Sequence, residues 1–172
     1  MRRDLTRWLR RLIAPLSRTR LFRRTAPHWL PPLERALARL TGGRLQVSGI
    51  LVPSLVLHST GARTGTVRDT VLMYTPDPDG GAVIAGTSFA RERHPGWSHN
   101  LIAHPDAEVS VRGRRFPVRA ALITDERERG ATWALIERQW PGYRAYERDS
   151  GRTVRLFRLH ATDDPPSRFR YR

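Results

Sequence analysis

Between residues 44 and 160 the apolar positions recur in short, strand-like runs, and glycine, proline and aspartate separate the runs. The pattern predicts strands at 45–48, 55–59, 67–75, 82–87, 108–112, 115–124 and 154–160. The Pro/Asp/Gly cluster at 76–81 and Gly113 read as hairpin turns. Two helices interrupt the strands. One, at 95–104, has Pro95 at its start and Pro105 beyond its end. The other opens at the capping residue Asp125 and reaches about Gln139, with Ala131, Leu135 and Ile136 directed inward. Short strands joined mostly by hairpins favour a closed or split barrel over an open parallel sheet. The predicted class is therefore mainly β with peripheral helices (α+β).

Ahead of the strands the period changes. Leu5, Trp8, Leu9, Leu12, Ile13 and Leu16 share one face of a helix over 4–16, and Arg3, Arg7, Arg10 and Arg11 take the other. A second helix fits 31–41, with Pro31 and Pro32 in its first turn, a Leu33, Leu37, Leu40 stripe, and Gly42-Gly43 as its stop. The expected organisation is a basic amphipathic arm at 1–27, a barrel domain at 28–162 and a disordered tail at 163–172.

Charge sharpens this picture. The 172-residue chain carries a net +15, and all 31 of its basic residues are arginine. Up to Arg44 there are 12 arginines against only Asp4 and Glu34. Such an arm attracts anionic partners: lipid headgroups, nucleic acid or an acidic ligand. The absence of cysteine excludes disulfides, thiolate catalysis and Cys-based metal sites. No run approaches the roughly 18–20 apolar residues of a membrane span, and arginines interrupt any secretory signal, so a cytoplasmic location is expected.

Two stretches could hold a ligand. Gly61-Ala62-Arg63-Thr64-Gly65, followed by Arg68, puts two guanidinium groups and a hydroxyl on a turn between strands. Arginine forks match phosphate or carboxylate oxygens in pairs, although such a turn alone would merely reverse the chain. His94-Pro95-Gly96-Trp97-Ser98-His99-Asn100 opens a helix whose first amides suit an anion or carbonyl, or simply caps the barrel with Trp97 and Leu101 packed inside. His94, His99 and His104 are spaced by five, which turns each about 140° from the last on a helix, so no metal site is expected. Neither a nucleophile elbow nor paired carboxylates mark a hydrolase. The protein brings little reactive chemistry of its own, as when a cofactor performs the difficult step.

Five stretches occur in order: 60–65 with Arg68, the 70–74 strand, Gly86-Thr87-Ser88, His94 to Pro105, and Trp140-Pro141-Gly142-Tyr143-Arg144-Ala145-Tyr146. Together, over about 28–160, they resemble the deazaflavin-dependent nitroreductases, the F420H2-dependent quinone reductases of actinobacteria. The resemblance implies a split β-barrel like that of FMN-binding relatives, with coenzyme F420 giving a hydride to a quinone, nitro or enone acceptor. It implies that Arg63, Thr64, Gly65 and Arg68 hold the phosphate and acidic tail of F420. Thr70, Val71, Leu72, Met73, Gly86, Thr87, Ser88, Trp97, Ser98 and Asn100 would line its ring and linker. Met73, Phe89, Trp140, Tyr143 and Tyr146 would form the acceptor pocket, with Tyr143 or Tyr146 as candidate proton donor. Val71 stands where the family often has Pro, Met73 where some members have Tyr, and Phe89-Ala90 where a Gly pair is commoner.

The same fold would serve an FMN-dependent oxidoreductase or a protein that only sequesters flavin or haem. A nucleic-acid-binding protein is the rival from another class. It is disfavoured because the aromatics cluster around the proposed coenzyme helix and lid instead of interleaving with the arginines. A monomer or homodimer is expected. The arm's geometry also suits peripheral docking on the inner face of the cell membrane. Deleting residues 1–24 should then abolish co-sedimentation with anionic vesicles, and unaltered sedimentation of the truncated protein would refute that role.

Overall fold

The computed structural model describes residues 53–162 and Phe169. The chain divides into two compact units, Met1–Ser54 and Leu55–Arg172. The boundary expected at residue 27, the arm, the 31–41 helix and the 45–48 strand lie outside the described residues.

The described part is mainly β. Its strands are β1 (Ser54–Thr60), β2 (Val67–Met73), β3 (Thr75–Pro76), β4 (Ala82–Ala85), β5 (Asp106–Val111), β6 (Arg114–Leu122) and β7 (Leu156–Ala161). They form one sheet in the order β2-β1-β5-β6-β7-β4-β3, and the sheet curls so that the edge strand β2 also packs beside β4. The result is the split half-barrel expected of the sequence. The single strand expected over 67–75 is interrupted at Tyr74, giving β2 and the short β3.

Alternation explains the register. β1 buries Leu55, Leu57 and Ser59, and leaves Val56, His58 and Thr60 partly exposed. β4 and β7 differ, because both of their faces are covered. Ala82, Ile84, Phe157 and Leu159 point into the barrel core, where Trp97 and Leu101 of α1 (Gly96–Ala103) fill the space. Val83 and Leu156 face outward against Trp133 and Ile136 of α2 (Glu126–Gln139). Burial on both sides is why 82–85 reads as an unbroken apolar run. Gly81 opens β4 so close to β7 that a Cβ there would lie 2.5 Å from the Leu159 carbonyl oxygen.

Asp125 caps α2 as expected, its carboxylate accepting from the Glu128 amide at 2.9 Å. The buried face of α2 matches the expected one at Ile136 and in part at Leu135, but not at Ala131. Ala131 is exposed and Leu135 half-buried, while Arg129, Thr132, Trp133 and Ile136 are buried. The deep tryptophan rotates the helix, since its ring gains most by being buried. Phe169, within the segment expected to be a disordered tail, is also fully buried, edge-on to Tyr74 and Phe116.

A charged knot ties the helices to the sheet. Arg129 donates to Glu147 of α3 (Ala145–Ser150) at 2.9 Å and to the Val154 carbonyl at 3.1 Å. Glu147 in turn accepts from the Val154 amide at 2.7 Å. Removing one partner of an enclosed pair strands the other. Glu147→Ala should therefore cost about 3 kcal/mol in urea unfolding, and a loss below about 1 kcal/mol would place the knot among ordinary surface pairs.

Candidate active site

The arginine turn is built to a tight plan. Gly65 bonds back to Gly61 at 2.8 Å and takes the left-handed conformation, φ 67, that closes the turn. The turn is pinned from the side: Asn100 accepts from the Ala62 amide at 3.0 Å and donates to the Ser59 hydroxyl at 3.1 Å. Asn100 is buried, so its amide holds β1, the turn and α1 together. Arg63, Thr64, Gly65 and Arg68 stand exposed. From Arg68 the strand β2 carries Thr70, Val71, Leu72 and Met73, all half-buried, over about 17 Å at 3.3 Å per residue.

At the far end Met73 reaches a small cleft shared with Thr75, Ala85, Ile136, Trp140 and Tyr143. The lid segment arises where α2 stops. Trp140 caps the helix, and Pro141-Gly142 follow. Three successive bonds then step by three residues: Tyr143 to Trp140 at 3.1 Å, Ala145 to Gly142 at 3.1 Å and Tyr146 to Tyr143 at 3.2 Å. Trp140 and the left-handed Gly142 interrupt any regular helical period here, so the face expected to be shared by all three aromatics is seen as a ring contact for Tyr143 and Tyr146. The rings of Tyr143 and Tyr146 meet edge-on with centroids 5.2 Å apart. The Tyr143 hydroxyl lies 3.2 Å from the Thr87 hydroxyl, joining the lid to the Gly86-Thr87-Ser88 strand end. The Phe89 side chain lies outside the described residues.

On α1, Trp97 packs against Phe157 at 5.6 Å, and the fully buried Ser98 donates to the Pro95 carbonyl at 2.8 Å and accepts from Arg155 at 3.2 Å. The reasoning from histidine spacing needs correcting here. His94 precedes the helix, and its ring comes within 6.2 Å of His99. Arg152 and Arg155 lie against the two rings at 3.0 and 3.3 Å, and positive charge there opposes a cation. Sequence reasoning missed Arg152, which bonds to three carbonyls of the 86–91 segment.

Asp69, His58 and Ser110 also line up, at 2.6 and 2.8 Å, in the order of a hydrolytic triad. Ser110 is paired on both sides, with Val56 and Arg115, so its backbone belongs to the ladder and offers no oxyanion donor. The three side chains are a polar strut fastening the edge strand β2 to β1 and β5.

Residues 33–160 match the family described as F420H(2)-dependent quinone reductase. The chain belongs to that family. An F420H(2)-dependent quinone reductase of Mycobacterium tuberculosis is 38% identical over 122 residues, covering 70% of this chain and 72% of the relative. A solved F420-H2 dependent reductase (FDR-A) superposes with TM-score 0.55 at 26% identity, covering 63% of this chain and 94% of that one. A structure described as a domain-swapped dimer gives 0.57 at 26% identity, covering 76% and 95%. The protein is thus an F420-dependent oxidoreductase, and its coenzyme is F420.

The observed residues fit that coenzyme. Two exposed arginines on and beside the turn, and a small, partly open cleft lined in part by Trp140 and Tyr143, sit at opposite ends of β2, a layout in keeping with an elongated molecule that has an anionic tail and an apolar ring. Among the described residues no helix is long and apolar enough to cross a membrane.

Electrostatics distinguish Tyr143 within this member of the family. Burial pushes its phenol up to about 12; the Thr87 hydrogen bond opposes this and the neighbouring Tyr146 adds slightly to it. The group therefore keeps its proton throughout the neutral range. Because the folded value is raised, its contribution to stability is complete below the ordinary tyrosine value near 10 and is lost as pH rises through about 12. Between about pH 9 and pH 11 the Tyr143→Phe variant should lose less stability in urea unfolding than the parent. Identical slopes in the two proteins would mean that Tyr143 is open to solvent.

Proposed function

We propose that the reductase delivers reducing equivalents to a small quinone held between Met73 and the lid of Trp140, Tyr143 and Tyr146. The observation that carries this is the Thr87–Tyr143 contact, which ties the Gly86-Thr87-Ser88 strand end to a residue that lines the cleft with Met73 and Trp140. Arg63, Thr64 and Arg68, with Gly65 shaping their turn, bind the phosphate and acidic tail of F420. Thr70 to Met73 and Gly86 to Ser88 flank its ring and linker. Asn100, Ser98 and Trp97, whose polar or ring contacts are inside the protein, serve chiefly to hold that surface in place. Phe89 belongs to the acceptor side.

When bound and reduced, F420 supplies a hydride. The chain's own part is alignment and exclusion of water. A reacting acceptor atom must sit within about 3–3.5 Å of the donor, and the aromatic cleft limits the poses that achieve this. A phenol raised to about 12 is a poor net acid at neutral pH. Tyr143 therefore offers its hydroxyl hydrogen to an acceptor oxygen and orients it, with Thr87 accepting or donating as needed. Water supplies the net proton of quinol formation.

The basic arm would bring this site to an anionic membrane surface where lipid-soluble quinones reside, and a homodimer is the proposed assembly, as in the domain-swapped relative.

Fluorescence titration with F420 and FMN, combined with menadione turnover, tests the proposal. F420 should bind at least about 10-fold more tightly than FMN. Arg63→Ala should weaken F420 about 10- to 100-fold, the equivalent of one charge-assisted bond. Tyr146→Ala should leave F420 affinity nearly unchanged and lower menadione turnover. Equal affinity for FMN, or turnover that only follows the folded fraction, would overturn the assignment.

A further inference from the structure

The segment after β4 is held in an unfavourable backbone shape. Ser88 and Ala90 have φ values of 49 and 60, in the left-handed region that L side chains enter at a cost. Such a conformation persists only where the surroundings impose it. Here one side chain bonds to both ends of the stretch. Arg152, in the loop before β7, donates through Nη2 to the carbonyls of Gly86 at 2.8 Å and Thr87 at 3.2 Å. Its Nε donates to the Arg91 carbonyl at 3.0 Å, and its Nη1 to His94 Nδ1 at 3.0 Å. The planar fork thus spans both ends of the strained stretch, as an ammonium group would not. Thr87, one of the carbonyls held, is the residue whose hydroxyl meets Tyr143.

We infer that Arg152 is a positioning residue for the reductase reaction, which clamps the 86–91 segment so that Thr87 stays against the lid hydroxyl of Tyr143. The inference rests on the reading of Thr87 and Tyr143 as part of the acceptor site. His94 makes the clamp sensitive to pH. It accepts from Arg152, so its Nδ1 carries no proton. Burial first, and then Arg155, Arg152 and His99, hold its pKa below the usual 6.5. Arg152 and Arg155 face it from the approach to β7, and His99 from α1. Glu147 of α3 acts on Arg152 from the other side. When the pH falls through that lowered value, His94 gains a proton, ceases to accept, and repels the guanidinium.

Arg152→Gln, Arg152→Lys, His94→Gln and Tyr143→Phe, each in the full chain, test the clamp. In the coenzyme-free protein, Arg152→Gln should accelerate hydrogen exchange at the amides of Ala90 and Arg91, which bond to Thr87 and Ser88 at 3.0 and 3.2 Å. At saturating F420H2 and menadione its kcat should fall about 10-fold, and Arg152→Lys should recover part of both effects. The parent should lose kcat as the pH falls below the ordinary histidine range, and His94→Gln, which retains an acceptor, should flatten that acid limb. A kcat for Arg152→Gln within about two-fold of the parent, while Tyr143→Phe lowers it, overturns the role of Arg152 alone. Unchanged kcat in both variants overturns the reading of the lid as well. Unchanged exchange in Arg152→Gln, or an acid limb identical in parent and His94→Gln, shows that the segment is held by other means.

Discussion

The pairing of β4 with β7 buries both faces of the same two strands, and that constraint reaches every part of the site. Inside the barrel Ile84, Phe157 and Leu159 pack with Trp97 of α1; outside, Val83 and Leu156 pack with Trp133 and Ile136 of α2. Two strands enclosed in this way cannot slip by one residue without exchanging their core and outer sets. The backbone leaving β4 is therefore delivered at a fixed place beside the backbone entering β7, where the Gly86 amide meets the Arg155 carbonyl at 2.8 Å. Thr87, Arg152 and the Arg129–Glu147–Val154 knot are all arranged from that meeting point.

From the same constraint comes a division of environment along β2. One end lies on an exposed turn, where Arg63 and Arg68 act through solvent and are screened over about 8 Å at physiological salt. The other end lies in an aromatic cleft, where burial keeps the Tyr143 phenol protonated. A coenzyme with a charged tail and an uncharged reactive ring needs both environments on one rigid element. Both lie along one short edge strand, fastened by the His58 strut and entered from a turn that Asn100 holds to β1.

Local rules carried the sequence reading where contacts are local. Asp125 announced α2 because a cap acts within one turn, Pro141-Gly142 announced its end, and the three-residue spacing of Tyr143 and Tyr146 brought their rings together. Family likeness, and not periodicity, supplied the coenzyme. On α2 the expected Ile136 does pack against Val83 and Leu156, with Leu135 beside it, but Ala131 satisfies the helical period as well as Trp133 does, and only packing put Trp133 inside and Ala131 outside. The histidine spacing misled because it assumed a helix that begins two residues after His94.

The sequence by itself determined the element types, the glycine turn, the excess of positive charge and the membership of the motifs in one reductase family. These follow from neighbours a few residues apart or from matched order along the chain. Tertiary structure alone decided which arginines are spent inside the protein. Arg152 and Arg129 look like any of the 31 arginines in the sequence, yet one bonds to carbonyls of a strained segment 61–66 residues away and the other ties two helices to the approach to β7. It also returned Phe169 to the core beside Tyr74 and Phe116. Contacts across such distances depend on how the barrel curls, and no local period in the chain encodes that closure.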